Sequence, residues 1–458
     1  MTVFAAAWLA CRPATDSPVD TVEPEPTAET ATPTSDGPLS FRGRPPRNLL
    51  MISIDTLRRD AFGDYGEAVY TDFFAALLQD SVRLDDHQQC SNWTYASTSC
   101  TLLGRYHEEN GFIPALRSAR VPFPDGQNTL ASRLHEHGYW SMLLSRNSWL
   151  GPEYNNAQGY DDVREPPGGG ASGVFESGRA RVAEAKAAGH DRWFLHLHLM
   201  EPHATYVPPP EYYAEELEGV PPLPAGWDLS TDEGHYGLVN NREQLTPAEQ
   251  DLLEKHLRAR YHGELAFLDD QVEEQWSLLA QAGMLDDTLV VVWNDHGEQF
   301  FERGHQSHAW NLNAEENDGF LFFWAYNLVP ARWTEPTASV DLVPTVLDAL
   351  GFSANDPELS GFVLGTAPVD RPRYAMSVAR EGVVQSVTQG DRKLIFDWND
   401  ARVTSFDRGT DRAERTDRFD PSDPVDRALW DQLLPRVLRM DSLQPDETLV
   451  WPAELPHP

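Results

Sequence analysis

Lysine is almost absent from this chain: three of its 36 basic residues (Lys186, Lys255 and Lys393) are lysine, which leaves 33 arginines. Basic residues are themselves few. They face 72 acidic ones across 458 residues, a formal charge of −36, and a field of that sign repels phosphate backbones and anionic membrane surfaces. The balance therefore argues against nucleic acid as a partner. The lysine scarcity fits a saline habitat or a genomic bias. Cysteine is scarce too, at three positions, too few for a disulfide scaffold. Cys90 and Cys100 either pair in an oxidising compartment or stay as two buried thiols. The apolar run that ends at Ala10 is too short to span a bilayer. Length is what the chain has in quantity, enough to bury a large core in two domains, or in one with an appendage.

The first residues, MTVFAAAWLAC, resemble the tail of a bacterial lipoprotein signal without its usual basic start. Leu9-Ala10-Cys11 stands as the lipobox and Cys11 as the lipidated residue. That resemblance implies attachment to a membrane through Cys11 and a place in the bacterial cell envelope, lipid-anchored or else periplasmic or secreted. Residues 12–46 are expected to be a tether, because 12–40 are rich in Pro, Thr, Asp and Glu with no aromatic residue and such segments lack the apolar surface to fold. Order is expected from Arg47.

From there, β-branched apolar runs alternate with helical patterns. NLLMISID closes on Asp55; WSMLLS (140–145), WFLHLHLM (193–200), TLVVVWND (288–295) and FLFFWAY (320–326) follow. Between them lie TDFFAALLQDSV, NTLASRLHEHGYW, a segment after Gly173 and a long pattern from Ala248 to Met284. This alternation predicts an α/β sandwich around a mostly parallel sheet, and ligands of such sheets sit beyond the carboxyl ends of the strands. Asp55 and Asp295 each end a strand and can converge there. Residues 207–245 are Pro-rich and poorly periodic and read as a long loop over the site. SVDLVPTVLDALG (339–351) reads as a helix closing the catalytic domain, 47–352. Residues 353–445, with four short strand patterns and a terminal helix, read as a small antiparallel subdomain.

The chemistry gathers around CSNWTYASTSCTLLGR (90–105), which packs six Ser or Thr hydroxyls into one run. A nucleophilic oxygen at a helix start there would meet unpaired backbone N–H groups that favour an anionic ester. Asp55, Asp295, His296 and a nucleophile oxygen form a mixed oxygen and nitrogen set suited to Zn, Ca, Mg or Mn. A lone Asp after a strand is more often a helix cap, but Asp295-His296-Gly297 is a more specific pattern.

Five stretches in order resemble the sulfatase branch of the alkaline phosphatase superfamily: NLLMISIDTLRRDAFGDYG, NWTYASTSCTLLGRY, FLHLHLMEPHATYVPPPEYY, VVVWNDHGEQFFERGHQSH and SVDLVPTVLDALG. The resemblance implies the alkaline-phosphatase/sulfatase-like sandwich with a small C-terminal antiparallel subdomain. It also implies hydrolysis or transfer of sulfuric or phosphoric esters, with Asp55, Thr94, Asp295 and His296 on one divalent metal. His203 matches the family's Pro-His position and would contact the ester or protonate the leaving group. His308 and His305 would share that work, one of them only as an outer donor. Arg105 would steady the substrate anion or cap its helix. The departures matter as much. The family's formylglycine motif, C/S-x-P-S-R, falls on Thr94, Ala96 and Thr98, and neither Cys90 nor Cys100 fits it, so formylglycine is not expected. The run instead resembles the "W-T-x-P-S" subgroup, whose proposed nucleophile is Thr. A threonine alkoxide forms a phosphoryl-enzyme that water resolves, whereas a sulfated threonine lacks an easy release, so phosphorus chemistry is favoured. The rival reading is a catalytically inactive surface protein of the same fold that binds glycan or lipid headgroups.

Overall fold

The computed structural model describes residues 39–62, 65, 71–110, 122–379, 382–443, 451–453 and 455. The chain divides into two units, Met1–Thr32 and Pro33–Pro458. The first lies wholly outside the described residues, and with it Cys11, the lipobox and most of the expected tether.

The tether's C-terminal end differs from expectation. Leu39 and Phe41 are buried, and the backbone around them pairs with 327–329 through Arg42 N–H to Asn327 O and Val329 N–H to Ser40 O, both 2.8 Å. Residues 39–46 thus belong to the folded body. Burying Phe41 alone is worth about 1.5–3 kcal/mol, enough to hold a short segment that composition marks as linker.

Eight strands form the main sheet: β1 (Asn48–Ile54), β2 (Val82–Leu84), β3 (Trp140–Ser145), β4 (Asp162–Arg164), β5 (Trp193–Leu199), β6 (Thr288–Asn294), β7 (Leu321–Trp324) and β8 (Ala331–Trp333). Their order is β8-β2-β7-β6-β1-β5-β3-β4. β6, β1, β5, β3 and β4 run parallel, while β7 is antiparallel to both neighbours. Alternation along β1 assigns its two faces: Leu50, Ile52 and Ile54 enter one apolar cluster, Leu49 and Met51 the other. Helices cover both, as buried parallel strands require. On the first face lie α1 (Asp72–Gln79) and two long helices, Gly170–Ala187 and Pro247–Gln281; on the second lie α2 (Thr94–Leu103), Leu130–Glu136 and Leu342–Ala349. The 35-residue helix starts on a capping box, Thr246 with Glu249, and Pro247, the residues that satisfy free N–H groups at a helix start.

Two expectations change in detail. Within 207–245 the chain forms a helix at Asp232–Asn240, too short and too weakly apolar for periodicity to show it. The C-terminal subdomain also begins later than 353, because Leu364 packs in the same cluster as Val343 and Val346. Its sheet is β9 (Arg373–Ala379), β10 (Gly382–Gln389), β11 (Arg392–Asp397) and β12 (Arg402–Asp407), antiparallel throughout, with the helix Pro424–Leu443 packed on it through Leu429, Trp430 and Leu433. A buried charge cluster joins this sheet to the main body. Lys393 pairs with Glu414 at 3.2 Å and Arg408 with Asp318 at 2.6 Å.

Candidate active site

α2 explains itself locally. Trp93 before it is extended, and Gly104 after it takes the left-handed conformation at φ 65° that ends helices. A side chain at Gly104 would also meet Leu359 at 2.8 Å. The helix is buried along its whole length, so its hydroxyls need partners. They find them one turn back: Thr98 Oγ1 donates to Thr94 O (2.5 Å) and Ser99 Oγ to Ala96 O (2.8 Å). Ser97 Oγ donates to Asp295 O at 2.5 Å, joining the helix to the end of β6. Cys90 and Cys100 form a disulfide, which resolves the two alternatives left by spacing.

Thr94 stands at the N-terminus of α2 with its hydroxyl inside the site. Thr94 Oγ1 is 3.4 Å from Asp55 Oδ2 and 3.4 Å from His296 Nε2. Asp55 follows β1 and Asp295-His296 follow β6, neighbouring parallel strands, so the topology brings them to one carboxyl end. One ligand atom each from Asp55, Asp295 and His296 lie within 4.8 Å of one another. Thr56 holds φ at 56°, an unusual conformation for a β-branched residue. That turn lets Thr56 N–H donate to Asp295 Oδ1 at 3.2 Å. The turn is pinned by Tyr261, whose hydroxyl donates to Thr56 O (2.8 Å) and accepts from Arg58 N–H (2.7 Å). Gly297 is required by space: a Cβ there would lie 2.0 Å from Glu315 O.

The donor set fits a cation. Asp55 Oδ1 and Asp295 Oδ2 are buried with no hydrogen-bond partner among the described residues, a costly state without one. His296 Nδ1 donates to Gly297 O at 2.9 Å, which leaves Nε2 as a lone pair facing the carboxylates. The two aspartates polarise each other. Burial raises Asp55, but His203, His198 and His296 around it outweigh that and hold it well below the usual carboxylate range; burial and the charge of Asp55 push Asp295 far up. Two buried carboxylates in one site ionise together only with positive charge between them.

The remaining expected residues separate into two groups. His308 lies near the cluster, its ring 4.3 Å from His296 and 5.3 Å from His203. Burial opposes protonation of His203, and the charges of Asp55 and Glu298 reverse that and raise it. His203 Nδ1 donates to Ala204 O at 2.6 Å, which leaves Nε2 free of that bond. His305 is elsewhere: exposed, it stacks on Trp310 at 4.0 Å. Arg105 is also elsewhere. It follows the far end of a ten-residue helix, about 15 Å along the axis from Thr94, and donates to Glu109 O. Its expected role on the substrate is replaced by a structural one.

Three residues enter that the sequence did not single out for this role. Asn147, just past β3, donates through Nδ2 to Asp55 Oδ2 (2.8 Å) and Thr94 Oγ1 (3.2 Å). Arg146 beside it is exposed and lines a 260 Å³ cavity with Met200 and Glu201. Glu298, fully buried and pushed up to about 7 by that burial, bridges His308 Nδ1 (3.1 Å) and the Tyr206 hydroxyl (3.0 Å). His198 of β5 packs beneath the site: Nε2 lies 3.2 Å from Asp55 Oδ2 and Nδ1 2.8 Å from Ser53 Oγ.

The profile of the Sulfatase family matches residues 47–352, the span that carries every group just described. The chain belongs to the sulfatase family. It is similar to a choline-sulfatase of Rhizobium meliloti (strain 1021), 27% identical over 84% of this chain and 85% of that protein. Its fold matches a structure solved in complex with its substrate D-glucosamine-2-N,6-O-disulfate, at TM-score 0.68 and 17% identity over 88% of this chain and 100% of that one. A phosphonate monoester hydrolase from Silicibacter pomeroyi matches at TM-score 0.62 and 22% identity, covering 86% and 95% of the two chains. This sulfatase-family hydrolase therefore shares its architecture with enzymes acting at sulfur and at phosphorus.

Proposed function

We propose that this sulfatase-family protein is a single-metal ester hydrolase whose nucleophile is Thr94 and whose preferred reaction is at phosphorus. The observation that carries the reading is Thr94 Oγ1 at 3.4 Å from both Asp55 and His296, at the start of a buried helix. Asp55, Asp295, His296 and Thr94 would hold a divalent ion, which supplies the positive charge that lowers the pKa of the hydroxyl and neutralises charge building on the ester.

Everything else is done by side chains in view. Asn147 orients the Thr94 hydroxyl. Thr94 reacts as its alkoxide, its proton released to solvent; the Thr94 Oγ–phosphorus bond forms as the bond from phosphorus to the leaving oxygen breaks, and the departing oxygen takes a proton from His203 Nε2 or His308. Water then attacks phosphorus and returns a proton to that histidine, and the Thr94 Oγ–phosphorus bond breaks to release the phosphate and the Thr94 alkoxide. Glu298 fixes the ring of His308 throughout. Both Cys90 and Cys100 are tied in a disulfide, which supports a reading without a formylglycine derived from either. The same disulfide supports placement in an oxidising compartment, the cell envelope or beyond, and among the described residues no helix is long and apolar enough to cross a membrane.

The test pairs bis-p-nitrophenyl phosphate with p-nitrophenyl sulfate on metal-loaded wild type and Thr94→Ala. Phosphodiester turnover should dominate and fall by at least about 10³-fold in the variant, while metal content and melting stay close to wild type. A Thr94→Ala enzyme that still turns over would sink the nucleophile.

A further inference from the structure

β5 carries two buried histidines that the mechanism above does not use. His196 and His198 alternate along WFLHLHLM, so both lie on the sheet face that Phe194 shares with α2. Leucine or valine would fill both positions with no polar atoms to satisfy. Instead a continuous line of hydrogen bonds runs from Tyr160 to the site. The Tyr160 hydroxyl lies 2.9 Å from His196 Nδ1, and His196 Nε2 lies 2.9 Å from Ser53 Oγ. Ser53, opposite His198 in the β1–β5 register, places Oγ 2.8 Å from His198 Nδ1, and His198 Nε2 lies 3.2 Å from Asp55 Oδ2.

The line has one self-consistent direction. Ser53 owns a single hydroxyl hydrogen, so it donates to one ring and accepts from the other. Burial pushes His196 down to about 3, which leaves that ring neutral with one N–H. A carboxylate only accepts, so His198 presents Nε2–H to Asp55 and accepts from Ser53 at Nδ1. Ser53 in turn accepts from His196 Nε2–H. His196 Nδ1 accepts from Tyr160, whose hydroxyl has no other hydrogen-bond partner among the described residues. The reverse direction would turn a lone pair of His198 towards Asp55 and leave the Tyr160 hydrogen without an acceptor.

We infer that Tyr160, His196, Ser53 and His198 form a one-way donor relay, with His198 as the residue that positions Asp55. The relay and the Asn147 amide, 2.8 Å away, both occupy Oδ2, while Oδ1 has no partner and is left for the cation. Because His198 Nε2 already carries a hydrogen, the relay cannot draw the Thr94 proton inwards. That proton leaves on the open side. The effect on the cation rests on the metal-binding reading above; the direction of the relay does not.

Heteronuclear NMR of the metal-free, histidine-labelled full chain reads the direction. His196 and His198 should both be Nε2–H tautomers, each assigned by the signal lost in His196→Gln or His198→Gln. An Nδ1–H tautomer or an imidazolium at either position would overturn the relay. Calorimetric titration with Mn²⁺, Ca²⁺, Mg²⁺ and Zn²⁺ then reads the effect on Asp55. His198→Leu should weaken the best-bound ion by about 10- to 100-fold. His198→Gln, whose amide offers an N–H in place of Nε2, should stay within about threefold of wild type. Ser53→Ala breaks the relay one bond further out and should weaken the same ion by a smaller factor, which keeps the test open if His198→Leu does not fold; melting curves decide that. Leu and Gln variants that bind alike, or Ser53→Ala binding as wild type, would reduce His198 to packing and overturn its positioning role. A wild type that shows both tautomers but binds none of the four ions would retire the metal reading and leave the relay standing.

Discussion

Asn147 is the residue whose removal best probes the assembled site, because one amide reaches both the Thr94 hydroxyl, the proposed nucleophile, and the Asp55 carboxylate. Asn147→Ala should lower kcat by about 10- to 100-fold, the range for losing a buried hydrogen bond to a charged group, with metal content retained. Arg146 pairs with no carboxylate among the described residues and stands at the rim beside Asn147. Arg146→Ala should raise KM for an anionic ester by about tenfold and leave kcat nearly unchanged, since an exposed guanidinium contributes mainly to binding. Steady-state kinetics on one phosphodiester checks both. Single residues also mark where the sequence could be read and where it could not. Asp55 and Asp295-His296 were legible because each closes a long apolar run. Asn147 closes one as well, but a lone Asn after a strand has no chemical signature. His305 and His308 were indistinguishable by spacing, and only the left-handed residues flanking His308, Ser307 and Ala309, separate them.

At the scale of elements, the parallel strands and the long helix were legible from their runs and periods, as was a helix starting at the hydroxyl run. Its consequences were not. Helix length carries Arg105 away from Thr94, and the cap at Gly104 together with the Cys90–Cys100 disulfide fixes where the helix ends. Gly104→Ala should cost about 1–3 kcal/mol, combining an unfavourable φ with contact against Leu359. Replacing Cys90 and Cys100 by alanine removes a cross-link spanning 10 residues and should cost about 2–3 kcal/mol. Denaturant midpoints measure both. In the disulfide variant, kcat should fall further than Tm suggests, because the loosened helix carries Thr94, the proposed nucleophile. The edge elements were missed for the opposite reason: residues 39–46 hold only two large apolar side chains, too few for a pattern yet enough for docking.

For the whole molecule, burial of acids in a chain this acidic gives stability a definite dependence on pH. Burial pushes Glu264 and Asp269 up to about 7 and Glu316 to about 8. Each holds a proton in the folded state that the unfolded chain releases near pH 4, so their contribution is lost as pH rises from about 4 to 8. Glu302 acts the other way. Although burial raises it, Arg58 and Arg258 bring it down to about 2, and its contribution is lost as pH falls from about 4 towards 2. Tm at fixed metal should therefore peak near pH 4, and Glu316→Gln should flatten the neutral limb. Added salt should raise Tm at pH 8, where self-repulsion of the −36 charge is screened.

The burial of Lys393, fully enclosed against Glu414, has a practical consequence. Of the three lysines, only Lys186 and Lys255 reach solvent, each on a long helix of the first sheet face. Amine-directed dyes, acylating agents and aldehyde cross-linkers therefore have two side-chain targets on the native protein, and a third becomes reactive only on unfolding. Covalent labelling of Lys393 is thus a direct readout of whether the C-terminal sheet is still seated on the catalytic body.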